Sequence, residues 1–531
     1  MRREFPRLER VRPFDLLVIG GGIYGAWVAY DAALRGLEVA IVERDDWGAG
    51  TSSASSKLIH GGLRYLEHYH LALVRKSLLE RRRLLRLAPH QVRPLRFVIP
   101  SYRGDRVGRL RLRAGLTLYD LLAGGARDGM GHDVLDRERV LAASPFLEER
   151  GLLGGFEYGD AVMDDARLTL EVVAAAVARG AVAVNHAAAD RLILRAGEAE
   201  GARITDGESG ETLDVPARVT VNCAGPWAAA LLSGSPARAA VRYQKGIHLV
   251  MPSLGVDHAL LVMAHADGRP YFLIPWYGRT LLGTTDTLYE GDPDDVTVDA
   301  ENTTYLLRDA ARVLGATGWR EEDVVSSFAG LRTLQARPAA SPGAASREWA
   351  LLSPLPRLLM PVGGKYTAAR ADAVRIVDGA VALLGRSDRR SRTADRVLPW
   401  TPSEPFEAWR ERAVREGVAA GLDGETAAGC ARRFGTGAPA IHRLAASDPV
   451  LAGRLHPDAP FCRAEVVHAA RAEMARTLED ILRRRVPLAL VVRPEALPLA
   501  EAAALAGAEL GWGADRRDEE VRRMGRRVAS R

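Results

Sequence analysis

Apolar and polar positions fall into recognisable periods along most of the chain. Residues 14–19 (FDLLVI) are a short apolar run broken by glycines 20–22, and Ile23–Arg35 then carries apolar positions at helical spacing until Gly36. Residues 37–42 (LEVAIV) form a second apolar run closing on Glu43, which completes a β-α-β unit of about 30 residues and predicts a parallel sheet. A polar run, TSSASSK (51–57), precedes a long helical stretch at 71–87. Residues 100–115, rich in Arg and Gly, read as a surface loop leading into an apolar helix. A helix near 166–179 leads to short strands, and VTVNCAGPW (219–227) reads as strand, tight turn and helix start. Segments 241–251, 270–276 and 280–284 alternate like strands of a second, mostly antiparallel sheet. Residues 337–346 are a turn-rich loop, and Thr367–Leu384 is helical again. From about 390 strand patterns fade and Ala/Arg/Glu/Leu helices dominate, which predicts a separate helical domain. The last 17 residues are so charged that they read as poorly ordered.

Composition narrows the class. With 531 residues, 47% hydrophobic and 26% charged, the chain is globular and long enough for two to four domains, which excludes disorder, collagen and coiled coil. The net charge is only +6, yet the pI is near 9.3. Lysine occurs four times (Lys57, Lys76, Lys245, Lys365) and arginine supplies the other 69 basic residues. Scattered arginine is a compositional bias and not a nucleic-acid footprint, so no nucleic-acid partner is expected. Three distant cysteines (Cys223, Cys430, Cys462) form neither a disulfide framework nor a zinc site, and the reducing cytoplasm is the default compartment. Neither a signal-peptide pattern nor an 18-residue apolar run is visible.

The chemistry starts at Gly20-Gly21-Gly22-Ile23-Tyr24-Gly25, a G-x-G-x-x-G between strand and helix, with Glu43 ending the second strand 23 residues after Gly20. Gly20 allows the tight turn, Gly22 the approach of a pyrophosphate and Gly25 close helix packing, while Glu43 accepts ribose hydroxyls. An acidic residue there argues against a 2′-phosphate, leaving FAD or NAD. The alternative, a glycine-rich turn with no ligand, does not account for this context.

The downstream sequence separates the two cofactors. TSSASSKLIHGGLRYLEHYH (51–70) joined to the fingerprint resembles the FAD-dependent glycerol-3-phosphate dehydrogenases of the D-amino-acid-oxidase-like flavoprotein superfamily. So do DDARL (164–168), NCAGPW (222–227), KGIHLV (245–250), IPW (274–276), GTTDT (283–287), GLR (330–332), SRE (346–348), GGKYT (363–367) and the helical 464–485 stretch. The resemblance implies an α/β fold. A Rossmann-like FAD-binding domain is joined to a mostly antiparallel-sheet substrate domain and a C-terminal all-α domain. The FAD-dependent region is expected over 14–389, with FAD-binding parts at about 14–90, 150–230 and 325–389 and substrate parts at about 91–149 and 231–324. The helical domain then spans 390–515, and 516–531 is a charged tail.

The same resemblance implies site residues. Cofactor contacts are expected from Gly20, Gly22, Ile23, Tyr24, Gly25, Glu43, Arg44, Thr51, Ser52, Ser55, Lys57, Leu58, His60, Gly61, Gly62, Ala224, Gly225, Trp227, Gly283, Lys365 and Thr367. Ser56 joins the hydroxyls available to the pyrophosphate and flavin edge. Cys223 is read as a small buried residue rather than a redox thiol. Glycerol 3-phosphate carries a dianion suited to planar guanidinium, so Arg332, Arg347, Lys365, Arg64 and Tyr65 are substrate candidates. Oxidation at C2, with hydride passing to flavin N5, needs a base for the hydroxyl proton. His248 is the first candidate and His60 the second, and a structural histidine remains the alternative reading. Arg332 and Lys365 complete the catalytic set, Gly363-Gly364-Lys365 standing before a helix where the reduced flavin gathers charge.

Three departures from the family pattern, Thr333, Glu348-Trp349 and Ala368, fall around the anticipated phosphate pocket. Electrons are expected to pass to a quinone, with O₂ as the alternative acceptor. Another small hydroxy or amino substrate is the alternative to glycerol 3-phosphate, and a flavin-binding RNA-modifying protein or a purely structural role is the alternative to an enzyme of this type. A homo-oligomer is expected, and no metal. Arg75, Lys76, Arg81, Arg82, Arg83 and Arg86 among the leucines of 71–87, then Arg103, Arg106, Arg109, Arg111 and Arg113, predict a basic amphipathic surface. Such a surface would hold the protein peripherally on the inner face of an anionic membrane.

Overall fold

The computed structural model describes residues 1–125, 129–232, 241–265, 267–315, 318–335, 349–387 and 390–529. The first β-α-β unit consists of strand Phe14–Ile19, helix Ile23–Leu34 and strand Val39–Val42, with every strand residue buried. Burial on both faces is why these strands are apolar runs and not alternations. Leu16, Val18, Val39 and Ile41 face a cluster containing helices Ile23–Leu34, Asp165–Val177 and Ala369–Leu383. Leu17, Ile19, Ala40 and Val42 face the opposite cluster, with Phe5, Leu8, Leu192 and Ile204.

The sheet runs in the order Ala350–Leu355, Leu358–Val362, Thr212–Asn222, Phe14–Ile19, Val39–Val42, Val182–Val184. Its central pairs are parallel, and Ile19 stands level with Val42 on one side and Asn222 on the other. Three adjacent strands therefore end together, with the chain leaving toward opposite sides, and such a point in a parallel sheet is a crevice for ligands. Strands Ala187–Arg195 and Glu198–Asp206 continue from Thr212–Asn222 as an antiparallel ribbon.

The second sheet runs Thr287–Tyr289, Val241–Pro252, Arg279–Gly283, Pro270–Trp276, Ala259–Met263, Val92–Tyr102, Leu152–Met163, Leu58–Ile59, with Ser326–Gln335 also paired to Val241–Pro252. Apart from Ala259–Met263 on Val92–Tyr102 its pairs are antiparallel. Leu152–Met163 and Ser326–Gln335, assigned by sequence to the FAD-binding parts, are strands of this sheet, as is Leu58–Ile59. Val92–Tyr102 escaped the pattern because Pro94 and Pro100 demote it, and Leu152–Met163 because its glycines read as breakers. Those glycines serve packing: a Cβ on Gly155 would meet the Ile99 carbonyl oxygen at 2.6 Å. The expected loop at 100–115 shrinks to the residues between this strand and helix Arg109–Leu122.

The C-terminal region is helical apart from a two-stranded hairpin, Arg454–His456 with Ala459–Cys462. The stretch at 464–485 is not one helix: Arg463–Ala472 ends, Met474 takes φ +57°, and a π-turn covers Asp480–Arg485. Buried ion pairs fasten this region to the first sheet. Asp46, in the loop after Val39–Val42, accepts from Arg484 Nε at 2.6 Å and from Arg485 Nη1 and Nη2 at 2.6 and 2.7 Å. Arg167 donates to Glu473 at 2.7 Å, and His90 and Trp400 N both hydrogen-bond Glu171 at 2.9 Å. The charged tail is also structured: Ala514–Ala529 is a helix burying Glu520, Met524 and Val528, four residues apart, with Leu478 N donating to Glu520. Charge density hid a one-sided stripe that three positions suffice to make.

Helix Leu71–Leu87 is less of a basic surface than expected. Arg81 is buried on Asp160 (2.6 Å), Lys76 pairs with Asp372, and Arg75, Arg82 and Arg86 remain exposed. Among the described residues no helix is long and apolar enough to cross a membrane.

Candidate active site

A cavity of about 440 Å³ lies where the strand ends of the first sheet face the second sheet. Its nucleotide-facing half is shaped by backbone. Gly20 has φ +102°, and a Cβ there would stand 2.6 Å from the Cys223 carbonyl oxygen. A Cβ on Gly25 would stand 1.9 Å from the Gly20 carbonyl oxygen, so only glycine lets the helix begin this close to the strand. Gly22 is the N-cap of Ile23–Leu34, and Ser52 Oγ accepts from Ile23 N at 2.9 Å at the cavity wall. Glu43 lines the cavity and accepts from Gly21 N at 2.6 Å and Asp45 N at 2.9 Å; burial still raises its carboxyl to about 7. Beyond it the Arg44 guanidinium lies over the Trp227 ring at 4.9 Å, and Asp294 Oδ1 accepts from both Arg44 Nη2 (2.7 Å) and Trp227 Nε1 (2.8 Å).

The polar run crosses from one half to the other, and its hydroxyls are divided among distinct partners. Thr51 donates to the Leu331 carbonyl at 2.6 Å and Ser55 to Asp165 at 2.7 Å. Ser56 Oγ and His248 Nε2 are hydrogen-bonded at 2.8 Å. Lys57 is turned away from the cavity: its ammonium is buried, 2.6 Å from both Asp165 Oδ1 and the Ser53 carbonyl. Phe328 lies between this cation, 5.1 Å from its ring, and the His248 imidazole stacked at 4.9 Å.

The other half is shaped by side chains in cross-strand register. Phe272, Gly283, His248 and Phe328 are successive partners on four strands and form one row. A Cβ on Gly283 would be 2.6 Å from His248 Cδ2, so the imidazole lies over a bare backbone. Burial, then the positive charges of Arg332 and Lys57, hold the His248 pKa well below the ordinary histidine range, and the ring is neutral at pH 7. Arg332 donates to Thr284 Oγ1 at 3.0 Å and to the Thr285 carbonyl at 3.3 Å. Lys365 donates from Nζ to the His60 carbonyl and has its ammonium 5.5 Å from the Tyr65 ring, over which Arg64 also lies at 5.2 Å. Tyr24 reaches across from the fingerprint, donating to Asp372 at 2.7 Å and accepting from Lys365 N at 3.2 Å. A guanidinium, an ammonium and a neutral imidazole thus converge at one end of a cavity whose other end offers a helix N-terminus and a carboxylate.

The family model described as FAD dependent oxidoreductase matches residues 15–370, and that described as the C-terminal domain of alpha-glycerophosphate oxidase matches residues 381–517. The chain belongs to the FAD dependent oxidoreductase family. It is 34% identical to a glycerol-3-phosphate dehydrogenase of Synechocystis, over 98% of this chain and 97% of that protein. It is also 36% identical to a D-erythritol 1-phosphate dehydrogenase of Brucella abortus, over 89% of this chain and 93% of that protein. The structure matches glycerol-3-phosphate dehydrogenase from Bacillus halodurans complexed with FAD, with a TM-score of 0.80 and 27% identity, covering 98% of this chain and 95% of that one. The resemblance to FAD-dependent glycerol-3-phosphate dehydrogenases extends over nearly the whole chain, and FAD is the cofactor.

The residues present fit FAD. A half-buried carboxyl raised to about 7 by desolvation stands at the end of Val39–Val42 and lines the cavity, where ribose hydroxyls would add donors to those of Gly21 N and Asp45 N. Gly225 has φ +56° and nothing within 4 Å of a Cβ, an open backbone turn at the cavity wall. Glu43 and Arg44 would hold the adenosine, Gly20, Gly22 and Ser52 the pyrophosphate, and His60, Lys365 and Thr367 the isoalloxazine.

Of the residues anticipated from sequence, Gly20, Gly22, Ile23, Tyr24, Glu43, Arg44, Thr51, Ser52, Ser55, Leu58, His60, Ala224, Gly225, Trp227, Lys365 and Thr367 line the cavity. So do His248, Arg332, Arg64 and Tyr65. Gly25, Lys57, Gly61, Gly62 and Gly283 do not line it; they shape it from behind, as Gly61 does against the Tyr119 hydroxyl and Gly62 against the Tyr65 ring. Arg347 and Glu348 lie outside the described residues. Cys223 is buried, and burial pushes its thiol up, out of the reactive range. Sequence reasoning missed Phe272, Thr284, Gly246 and the Ala187–Asp190 segment, all at the cavity wall. Ala187–Asp190 has no chemical signature. Phe272 becomes visible only once the register that pairs it through Gly283 to His248 is known.

Proposed function

We propose that the enzyme oxidises sn-glycerol 3-phosphate to dihydroxyacetone phosphate and passes the electrons to a quinone. The observation that carries this reading is the convergence of Arg332, Lys365, Arg64, Tyr65 and His248 at the end of the cavity away from Glu43. FAD, when bound, supplies the two-electron acceptor for the hydride from C2. Arg332 binds the phosphate dianion, its fork aimed by Thr284 and Thr285. His248, neutral at pH 7, takes the hydroxyl proton at a ring nitrogen. Lys365, which has Tyr24 and the His60 carbonyl to fix it, places a positive charge where the pyrimidine edge gains electrons. Lys57, buried on Asp165, fixes the start of the Leu58–Ile59 strand and touches neither ligand.

Helix Arg109–Leu122 supports a peripheral membrane position. Leu110, Leu118 and Leu121 are exposed beside Arg111 and Arg113, and Arg103 and Arg106 precede them. The test of the main reading is anaerobic bleaching of the flavin: glycerol 3-phosphate should remove the 450 nm band within turnover time (about 0.1–1 s at typical rates), and an unchanged spectrum would reject it. A second reading, O₂ as acceptor, is favoured by the C-terminal match to alpha-glycerophosphate oxidase. Reoxidation of the bleached enzyme faster by air than by a soluble quinone would select it. D-Erythritol 1-phosphate belongs in the same bleaching series because of the Brucella relative.

A further inference from the structure

Gly246 lies inside a long antiparallel strand, with Gly330 as its cross-strand partner. Its φ is not among the positive ones, so the backbone itself would accept any residue. Glycine in a strand interior is destabilising relative to a residue with a side chain, and it marks places where something else must come close. What comes close here is Arg332. A Cβ on Gly246 would stand 2.6 Å from Arg332 Nη2, 2.8 Å from Nη1 and 2.6 Å from Thr284 Oγ1. Gln244 is the direct cross-strand partner of Arg332, which places Gly246 one diagonal step away on the same face. The guanidinium therefore lies flat across the bare backbone of Gly246, its Nη2 donating to Thr284 and its Nη1 to the Thr285 carbonyl.

We infer that Gly246 is a positioning residue for substrate binding: its missing side chain is the seat that holds the Arg332 fork in the plane that receives the phosphate dianion. The inference rests on the reading of Arg332 as the phosphate ligand. The three atoms nearest to a Gly246 Cβ all lie at side-chain tips, so a methyl group there shifts the fork and leaves the strand pairing intact. Gly283 differs, since its Cβ would also stand 2.8 Å from the Ile247 carbonyl oxygen, and a substitution there strikes backbone.

The experiment uses the FAD-loaded full chain. Gly246→Ala should keep the flavin content, visible spectrum and thermal midpoint of the parent, with KM for glycerol 3-phosphate raised about tenfold and kcat changed less than about twofold. Placed on Arg332→Lys, which has no planar fork to displace, the same alanine should add less than about a twofold effect. Equal effects in both backgrounds, or an unchanged KM in Gly246→Ala while Arg332→Ala raises it, would overturn the seat. An unchanged KM in Arg332→Ala would instead remove the phosphate reading beneath it. If Gly246→Ala does not load FAD, Thr284→Val decides: it removes the hydroxyl that accepts from Nη2 without adding bulk, so KM should rise, and an unaltered KM counts against the seat.

Discussion

The two halves of the cavity are built from different materials. The half around Gly20–Gly25 and Glu43 is made of backbone, and its shape depends on where side chains are absent. The half around His248 and Arg332 is made of side chains that meet only because four strands pair in one register. Backbone geometry is written locally, in a few consecutive residues; register is written across some 80 residues from His248 to Arg332. The first half should therefore fail all at once when a glycine is filled, whereas the second should lose single functions one at a time.

Gly25→Ala puts the largest strain on that contrast. With a Cβ 1.9 Å from the Gly20 carbonyl oxygen, the variant should lose FAD and refold poorly. Stoichiometric flavin after purification would break the claim that this half is backbone-built. His248→Ala should retain FAD and lower kcat by about 10²–10⁴-fold, the usual contribution of a general base. In the parent, the depressed histidine pKa keeps the base neutral as pH falls through 6.5, so kcat at saturating substrate should hold there and drop only at lower pH. A limb at the ordinary histidine value would show that another group titrates. Arg332→Ala should raise KM by about 10–100-fold with FAD intact, in line with the loss of a charge-assisted contact.

Smaller effects belong to the side chains of the first half. Glu43 accepts ribose hydroxyls best as a carboxylate, and burial raises its pKa to about 7. FAD affinity of the apoprotein should therefore increase by a few-fold as pH rises through 7, while Glu43→Gln abolishes the dependence; titration by flavin fluorescence checks both. Because the folded-state value is raised, apoprotein stability should fall as pH rises between the usual carboxylate range and 7. Arg44→Ala should change FAD affinity least, within about fivefold, since its partner Asp294 is exposed and such pairs contribute about 1 kcal/mol or less.

The same contrast explains what could be read before the structure was known. Gly20, Gly25 and Glu43 declare their roles because strand, turn and helix follow one another directly. Arg332 and His248 were reached through resemblance, and nothing in their neighbours' sequence says that Gly246 lies under one and Gly283 under the other. The sequence alone reads Lys76 as part of a basic amphipathic surface and Lys57 as a flavin contact. Each instead neutralises a carboxylate, Asp372 and Asp165, that is distant in sequence and buried. Pro94 and the glycines of Leu152–Met163 concealed two long strands for the opposite reason, since local propensity yielded there to packing. The Ala514–Ala529 helix shows a third limit: Glu520, Met524 and Val528 define its inner face, but the charge around them dominates any average.

Asp46 stands just beyond the second strand of the cofactor fingerprint, and its arginine partners are residues 484 and 485. On a ribosome those arginines emerge 438 and 439 residues after Asp46. Until then a carboxylate destined for the interior lacks the two guanidiniums that neutralise it there. The cofactor fold is thus completed by residues made long after its own strands. A chain halted before residue 484 carries every glycine the nucleotide needs and still lacks the charges that let Asp46 go inside.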